Sequence, residues 1–289
     1  MPDISFGVSV VPRGPDHGRD LLLRMEDTEF DTAWVGDSLG DWNDPSAPLL
    51  DSWITLGAMA VETEDLELGM LVTDLSWRDP VQVARFAMSV DQLTNGRFVL
   101  GLGCGQRDDQ VAAGGAVLHM ESDERSDRLE EGVRVIDQLL RGNTGPFEGT
   151  FTRYTSAATA PASVQSPRLP LLVSGNAQRT IRIAVDHADT WNTWVDSSDI
   201  ESVYQQTAER VHYVQECLAQ QGRDSDTLTR SLSAFSDAFD PWSTDDAIPR
   251  LVEQFAPLGF TEFVFSPPRP DQMRDFLRIG VDVLATFRD

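Results

Sequence analysis

The chain contains no lysine. All 23 of its basic residues are arginine, they stand against 47 acidic residues, and the formal net charge is −24. A surface this negative repels nucleic acid and anionic membranes, so we expect neither as a partner. Two explanations of the charge stay open: a GC-rich genome that favours arginine codons, or a high-salt cytoplasm in which acidic surfaces keep proteins dispersed. Neither explanation identifies a reaction.

Cysteine, histidine and long apolar runs are also scarce. The two cysteines, Cys104 and Cys217, lie far apart, and the four histidines form no paired-ligand motif, so we expect reduced thiols and no metal. No apolar stretch approaches the roughly 20 residues that span a bilayer. The first residues lack the basic and apolar regions of a signal peptide. These absences together predict a cytoplasmic protein.

Short β-type runs alternate with helical runs along the whole chain. The β-type runs are 4–11, 33–36, 66–73, 98–103, 171–174, 190–193, 232–239 and 262–265. The helical runs that follow them are 18–29, 49–61, 80–93, 126–140, 177–187, 200–221, 247–258 and 271–287. Eight β/α pairs without a linker favour one domain, a (β/α)8 TIM barrel over residues 1–289. An open, doubly wound sheet is the main alternative.

One segment interrupts this alternation. Residues 141–170 are rich in Gly, Pro, Thr, Ser and Ala, with a possible short hairpin around 147–154. The segment is therefore predicted to be an insertion after the fourth strand, lying among the helices or over the active face.

Candidate site residues follow four of the predicted strands, because barrels carry their function at the carboxyl ends of strands. Glycines after the fourth strand leave bare backbone against which a flat ligand could lie. The turn at Gly175 opens a helix and could receive an anion, and Arg179 either pairs with phosphate or is a solvated surface residue. The candidates are Asp37, Ser38, Trp42, Leu71, Val72, Thr73, Gly103, Cys104, Gly105, Gln106, Ser174, Gly175, Asn176 and Arg179.

Two stretches resemble a known family. Residues 66–106 (LELGMLVTDLSWRDPVQVARFAMSVDQLTNGRFVLGLGCGQ) and 167–192 (PRLPLLVSGNAQRTIRIAVDHADTWN) are similar to the signatures of the luciferase-like monooxygenase superfamily. Its members hold a flavin or a deazaflavin in a (β/α)8 barrel and usually pair as dimers through helices near the second and third strands. The resemblance implies a non-proline cis peptide at Leu71–Val72, pressed against the middle ring of the cofactor. Arg78 is expected to pair with a nearby acid rather than to touch substrate.

The chain departs from the family pattern at two positions. Ser38 stands where the family has a histidine, and Gln106 stands where related deazaflavin dehydrogenases carry a glutamate. Neither serine nor glutamine is a useful general acid near neutral pH. By resemblance, Ser38, Trp42 and Gln106 are the candidate catalytic residues: they would border the face of the ring opposite Leu71 and Val72, with Trp42 as a wall of the substrate pocket.

Three functions remain open from the sequence. The first is an oxidoreductase that transfers a hydride between coenzyme F420 and a small organic substrate. The second is a monooxygenase that uses reduced FMN from a partner reductase. The third is a flavin-binding protein without turnover. The replacement of the family's histidine and glutamate by Ser38 and Gln106 leaves this alternative open. The barrel alone does not distinguish them.

Overall fold

The computed structural model describes residues 3–14, 18–41, 44, 46–105, 120–158 and 160–288. Its strands are β1 (Ser5–Ser9), β2 (Thr32–Val35), β3 (Glu67–Asp74), β4 (Phe98–Gly103), β5 (Phe147–Glu148), β6 (Arg153–Tyr154), β7 (Leu171–Ser174), β8 (Thr190–Thr193), β9 (Thr229–Ala234) and β10 (Glu262–Phe265). Eight of these strands close into a barrel in the order β1-β10-β9-β8-β7-β4-β3-β2, and β5 pairs with β6 in a separate antiparallel hairpin. The predicted TIM barrel is therefore confirmed, and the open sheet is excluded.

Helices follow the barrel strands. Within the described ranges they are α1 (Arg19–Glu26), α2 (Ser52–Glu62), α3 (Pro80–Leu93), α4 (Ser122–Leu140), α5 (Gln178–His187), α6 (Ile200–Gln221), α7 (Ala247–Phe255) and α8 (Met273–Arg278). Capping explains several of their limits. Asp79 accepts the Gln82 N–H at the start of α3, and Asp199 accepts two N–H groups at the start of α6. Gly222 ends α6 with φ +64°, a conformation in which glycine pays no steric cost.

The structure corrects two predicted elements. Strand β9 occupies Thr229–Ala234, whereas the sequence predicted a strand over 232–239. The strand begins earlier because Thr229 and Arg230 already pair with Thr190 and Trp191 of β8. The guanidinium of Arg230 is satisfied by donating to the carbonyl oxygen of Leu258 at 2.5 Å. The last helix is shorter than the predicted 271–287: α8 ends at Arg278, and the chain continues as a π-helical turn and a 3-10 turn.

The described residues fall into two compact units. The first unit comprises residues within 1–10, 20–34 and 173–289, and aromatic side chains dominate its core: Phe6 stacks on Phe263 and Phe265 with ring centroids 6.4 and 6.3 Å apart. The second comprises residues within 11–19 and 35–172, and its core includes Phe98 and Trp53, whose ring centroids lie 6.0 Å apart. That the whole chain is one domain stays a prediction.

The insertion after β4 is held by two carboxylates in the second unit. Glu131 on α4 accepts the N–H groups of residues 150–152 at 2.6, 2.9 and 2.6 Å. Asp91 on α3 accepts the Val164 N–H at 2.6 Å and the Gln165 side-chain amide at 2.8 Å. Both carboxylates are buried, so the loop is fastened to two helices by charge-assisted hydrogen bonds. The predicted hairpin is confirmed as β5 and β6.

Within the part of the chain that the structure describes, no helix combines the length and the apolarity that crossing a membrane requires.

Candidate active site

The carboxyl end of β3 bulges. Met70 pairs with Leu100 and Thr73 with Leu102, so β3 holds one more residue than β4 over this interval. The peptide bond between Leu71 and Val72 is cis, which confirms what the resemblance implied. Leu71 and Val72 are partly exposed, whereas Met70 and Thr73 on either side are fully buried. The bulge therefore presents two apolar side chains at the end of the strand.

The glycines of β4 make room for this bulge. A Cβ on Gly103 would lie 2.6 Å from Cγ2 of Val72, and one on Gly101 would collide with the Met70 carbonyl oxygen. From the sequence, Gly103 is predicted to leave bare backbone against which a flat ligand could lie. In the structure, the Val72 side chain occupies the space that a Cβ on Gly103 would take. Whether the cofactor also contacts Gly103 or Thr73 stays a prediction; the Thr73 hydroxyl is buried and has no hydrogen-bond partner among the described residues.

Asp37, just after β2, is held by a guanidinium. Arg78 donates from Nε and Nη2 to the two oxygens of Asp37 at 3.0 and 2.7 Å, and from Nη2 to Asp51 at 2.9 Å. The expected pairing of Arg78 with an acid is therefore confirmed. Burial raises the pKa of Asp37, and the hydrogen bonds from Arg78 offset only part of that effect. Asp51 also caps α2, so this ion pair ties the end of β2 to a helix and to the turn after β3.

The segment after Asp37 is anchored a second time. Asp41 is buried, and Arg13 donates to it from Nε at 2.5 Å. Ser38 lies between the two anchored aspartates and is partly exposed. Trp42 lies outside the described residues, and so does Gln106. Their predicted roles beside the substrate therefore stay predictions.

Asp74, the last residue of β3, was not assigned a role from the sequence. Its Oδ1 accepts the Ser76 N–H at 2.8 Å, and Gly105 lies directly against the carboxyl group. Burial raises the pKa of Asp74, and the pKa of the Cys104 thiol is raised by burial and by the neighbouring Asp74. The position of Asp74 at a strand end was the available signal, but the sequence does not show which strand-end carboxylates have a cationic partner.

The predicted anion-binding residues lie together in the first unit, at the end of β7. Ser174 donates to Asn192 at 3.0 Å, and a Cβ on Gly175 would collide with Thr180 of α5. Arg179 is exposed on the same helix. Close packing against α5 accounts for the glycine, and the binding of an anion by these residues stays a prediction.

Asn176 belongs to a hydrogen-bond network that the sequence did not reveal. Its Oδ1 accepts from the Thr193 hydroxyl at 2.9 Å, from the Trp194 N–H at 3.3 Å and from Nη1 of Arg210 at 3.1 Å. Desolvation lowers the pKa of Arg210. Arg210 comes from the middle of α6, far from β7 in sequence, so no local motif predicts this contact.

Comparison with known proteins identifies the family. The family model described as luciferase-like monooxygenase matches residues 5–237. The chain belongs to the luciferase-like monooxygenase family. Membership of the luciferase-like family places the chain among oxidoreductases and agrees with the barrel and with the cis peptide at the end of β3.

Three similar proteins are informative. An F420-dependent glucose-6-phosphate dehydrogenase of Nakamurella multipartita is 31% identical over 209 residues, which are 71% of this chain and 60% of that protein. An F420-dependent secondary alcohol dehydrogenase, solved with an F420-acetone adduct, superposes with a TM-score of 0.82 at 18% identity over 99% of this chain and 100% of that chain. A coenzyme F420 dependent tetrahydromethanopterin reductase of Methanopyrus kandleri superposes with a TM-score of 0.79 at 18% identity, over 99% of each chain. At 18% identity the two structures show a shared fold.

Proposed function

We propose that this protein is an oxidoreductase that uses coenzyme F420 to transfer a hydride to or from a small organic substrate. The 31% identical relative is named as F420-dependent, although the match spans 60% of that relative's length. Two F420-dependent enzymes share the fold over nearly the whole chain. The proposal places the cofactor ring at the carboxyl ends of β2, β3 and β4.

The observation that carries the proposal is the bulge at Leu71–Val72. The extra residue in β3 leaves two apolar side chains partly exposed at the end of the strand, and the glycines of β4 leave room for this bulge. The side chains at the crest of the bulge are uncharged and partly exposed, which suits the flat apolar face of a tricyclic ring. A bound deazaflavin would supply or accept a hydride at C5 of its ring.

The chain's own residues position the reactants. Leu71 and Val72 support one face of the ring, and Asp37 is fixed beside it by two hydrogen bonds from Arg78. Ser38, held between Asp37 and Asp41, borders the substrate. Trp42 and Gln106 are proposed to complete the substrate side. Within the first unit, Ser174, Gly175, Asn176 and Arg179 are proposed to bind an anionic group.

A second candidate is a monooxygenase that receives reduced FMN from a partner reductase. The matching family model favours it, because that model is described as a monooxygenase. The same apolar bulge would support an isoalloxazine ring. The two candidates differ in the cofactor bound and in the use of oxygen.

Titration of the purified protein with oxidised F420 and with FMN, followed by ring fluorescence, tests the choice. We expect F420 to bind at least tenfold more tightly. Leu71→Glu should weaken F420 binding about tenfold or more, since it places a carboxylate on the apolar face; that is about 1.4 kcal/mol. Val281→Glu, at an exposed position of the first unit, is the control and should bind as the wild type does.

Other outcomes separate the alternatives. Tighter FMN binding, with oxygen consumed by the protein loaded with reduced FMN, would replace the proposal by the monooxygenase. Binding of either cofactor without turnover across alcohols, ketones and aldehydes would instead indicate a flavin-binding protein. Equal affinities of Leu71→Glu and wild type would refute the placement of the ring on the bulge.

A further inference from the structure

The carboxyl group of Asp74 is fixed in direction. It follows the bulge by two residues, and its Oδ1 accepts the Ser76 N–H at 2.8 Å. The backbone on both sides is also held: Leu75 N–H donates to the Gly103 carbonyl at 3.0 Å, and Arg78 N–H donates to the Asp74 carbonyl at 3.2 Å. A side chain held in this way can present its second oxygen in one direction only.

Because Gly105 has no side chain, it leaves the space that the Asp74 carboxyl group occupies. The glycine has φ +66°, and a Cβ there would lie 2.8 Å from Cγ of Asp74. Any other residue at position 105 would displace the carboxyl group. Asp74, Cys104 and Gly105 are each partly exposed, so the carboxyl group is packed on one side and reachable on another.

The other carboxylates near the end of β2 are committed to ion pairs. Asp37 and Asp51 share Arg78, and Asp41 is paired with Arg13. Each of them must stay ionised to keep its partner. Asp74 forms no ion pair with any residue in the described ranges, so it can gain or lose a proton without breaking one.

Electrostatic surroundings keep a proton on Asp74 to a higher pH than usual. Burial raises its pKa, while the hydrogen bonds from Ser76 and the charge of Arg125 on α4 act in the opposite direction. Among the described residues, the charged or titratable groups that face it are Arg125, the Cys104 thiol at the end of β4 and Asp37 at the end of β2. An acid that works near neutral pH needs a pKa shifted in this direction.

We infer that Asp74 is the proton donor and acceptor of the hydride transfer proposed above, with a carbonyl compound or its alcohol as substrate. In reduction, the carbonyl carbon receives the hydride and the C=O π bond breaks. The Asp74 O–H bond breaks as its proton forms the hydroxyl of the alcohol, which leaves a carboxylate that solvent reprotonates. In oxidation, the Asp74 carboxylate takes the hydroxyl proton while the hydride leaves the carbon. The inference rests on the proposed function and supplies the acid that Ser38 and Gln106 cannot provide.

Asp74→Asn tests this role, because the amide keeps the shape of the side chain and can still accept from Ser76. In wild type, ketone reduction should slow as pH rises through the pKa of Asp74, and alcohol oxidation should slow as pH falls through it. We expect Asp74→Asn to bind F420 within twofold of wild type, to lose this pH dependence and to lower kcat about a hundredfold or more. Asp20→Asn, which removes a carboxyl group from an exposed pair with Arg24, should behave as wild type.

The ligand-free protein gives a second measurement. A raised pKa means that the folded state binds the Asp74 proton more tightly than the unfolded chain does. The free energy of unfolding of wild type should therefore decrease as pH rises between the ordinary aspartate pKa and the raised value. Asp74→Asn should lack this decrease, so its free energy of unfolding relative to wild type should rise as pH increases through that interval, as urea unfolding at each pH will show.

The outcomes distinguish two failures. If wild type binds F420 and turns over while Asp74→Asn keeps the same kcat and pH profile, Asp74 is not the acid and the proposed function stands. If wild type binds no F420, the proposed function falls and this inference falls with it. If Asp74→Asn changes affinity for F420 and leaves the pH profile in place, the residue is structural and the inference is refuted.

Discussion

Val72 and Gly103 illustrate how individual residues of two strands depend on each other. The extra residue in β3 pushes the Val72 side chain toward β4, and only a glycine at position 103 leaves space for it. A close-packed interior does not absorb an added methyl group without moving its neighbours. The bulge and the glycine therefore act as a pair in stabilising the candidate site.

This pairing predicts a coupled effect on stability. Gly103→Ala should cost about 1–3 kcal/mol, because its Cβ would collide with Cγ2 of Val72. Val72→Ala removes Cγ2 and with it the collision. The loss in free energy of unfolding of the double variant Gly103→Ala/Val72→Ala should therefore be smaller than the sum of the two single losses, by about 1 kcal/mol. Urea unfolding of the four proteins measures the coupling.

Gly57 provides the matched control. It lies inside α2 with nothing within 4 Å of an added Cβ, so Gly57→Ala should be neutral or slightly stabilising. Additive effects of Gly103→Ala and Val72→Ala would show that the two side chains do not compete for the same space.

Sequence reasoning at the residue scale succeeded where a motif or a charge rule applied. The cis peptide was implied by the family resemblance alone, since no rule of composition or spacing reveals it. The pairing of Arg78 with an acid was expected, but the sequence did not identify Asp37 and Asp51 as its partners. Asp74 was not assigned a role because the sequence does not show that the other nearby carboxylates, Asp37, Asp41 and Asp51, are held in ion pairs with arginines. The packing of Val72 against Gly103 was not predicted, because Val72 lies on another strand.

At the scale of elements, Glu131 fastens the insertion to α4. The carboxylate accepts three successive N–H groups from residues 150–152 between β5 and β6. A neutral amide has one acceptor oxygen and brings an NH2 group toward the same donors. The contacts therefore depend on the carboxylate rather than on the size of the side chain.

Glu131→Gln should loosen the hairpin without unfolding the barrel. We expect the amides of residues 150–152 to exchange with deuterium at least tenfold faster, because their N–H groups lose a charged acceptor, while β7 exchanges as in wild type. Mass spectrometry of exchanged peptides measures both regions. Glu130→Gln, one residue away on the same helix, is the control. Unchanged exchange in Glu131→Gln would mean that other contacts hold the hairpin.

The limits of the elements were predictable where local chemistry marks them. Helix α3 begins at the proline of the Asp79-Pro80 pair and was predicted at its observed limits, and α6 is bounded by Asp199 and Gly222 as expected. Strand β9 was misplaced because its start contains a polar arginine whose partner, Leu258, is distant in sequence. Local patterns identify caps, whereas tertiary contacts decide where such a strand begins.

For the whole molecule, the outer faces of α2 and α3 bear on oligomeric state. Ile54 and Val61 of α2 are 77% and 69% exposed, and they lie on the same face of the helix, two turns apart. Phe86 and Leu93 are exposed on α3. We propose that this apolar surface pairs two copies of the chain, as the family resemblance implies for helices near the second and third strands. Exposed apolar side chains that lie on one face commonly mark an interface.

Ile54→Asp should convert the predicted homodimer to a monomer, because it places a charge on each side of the contact. Light scattering coupled to size exclusion gives the mass directly, at 32.0 kDa for one chain. Val281→Asp, exposed elsewhere, is the control and should keep the mass of wild type. A wild-type mass of one chain at micromolar concentration would contradict the proposal.

The clamp that Arg78 makes on Asp37 and Asp51 has a consequence for how such a protein can diversify. Because guanidinium contacts fasten the loop after β2, Ser38 is not needed to hold it in place. Natural selection, or a designer, can exchange the residue at position 38, which we propose borders the substrate, while the scaffold beneath it stays intact.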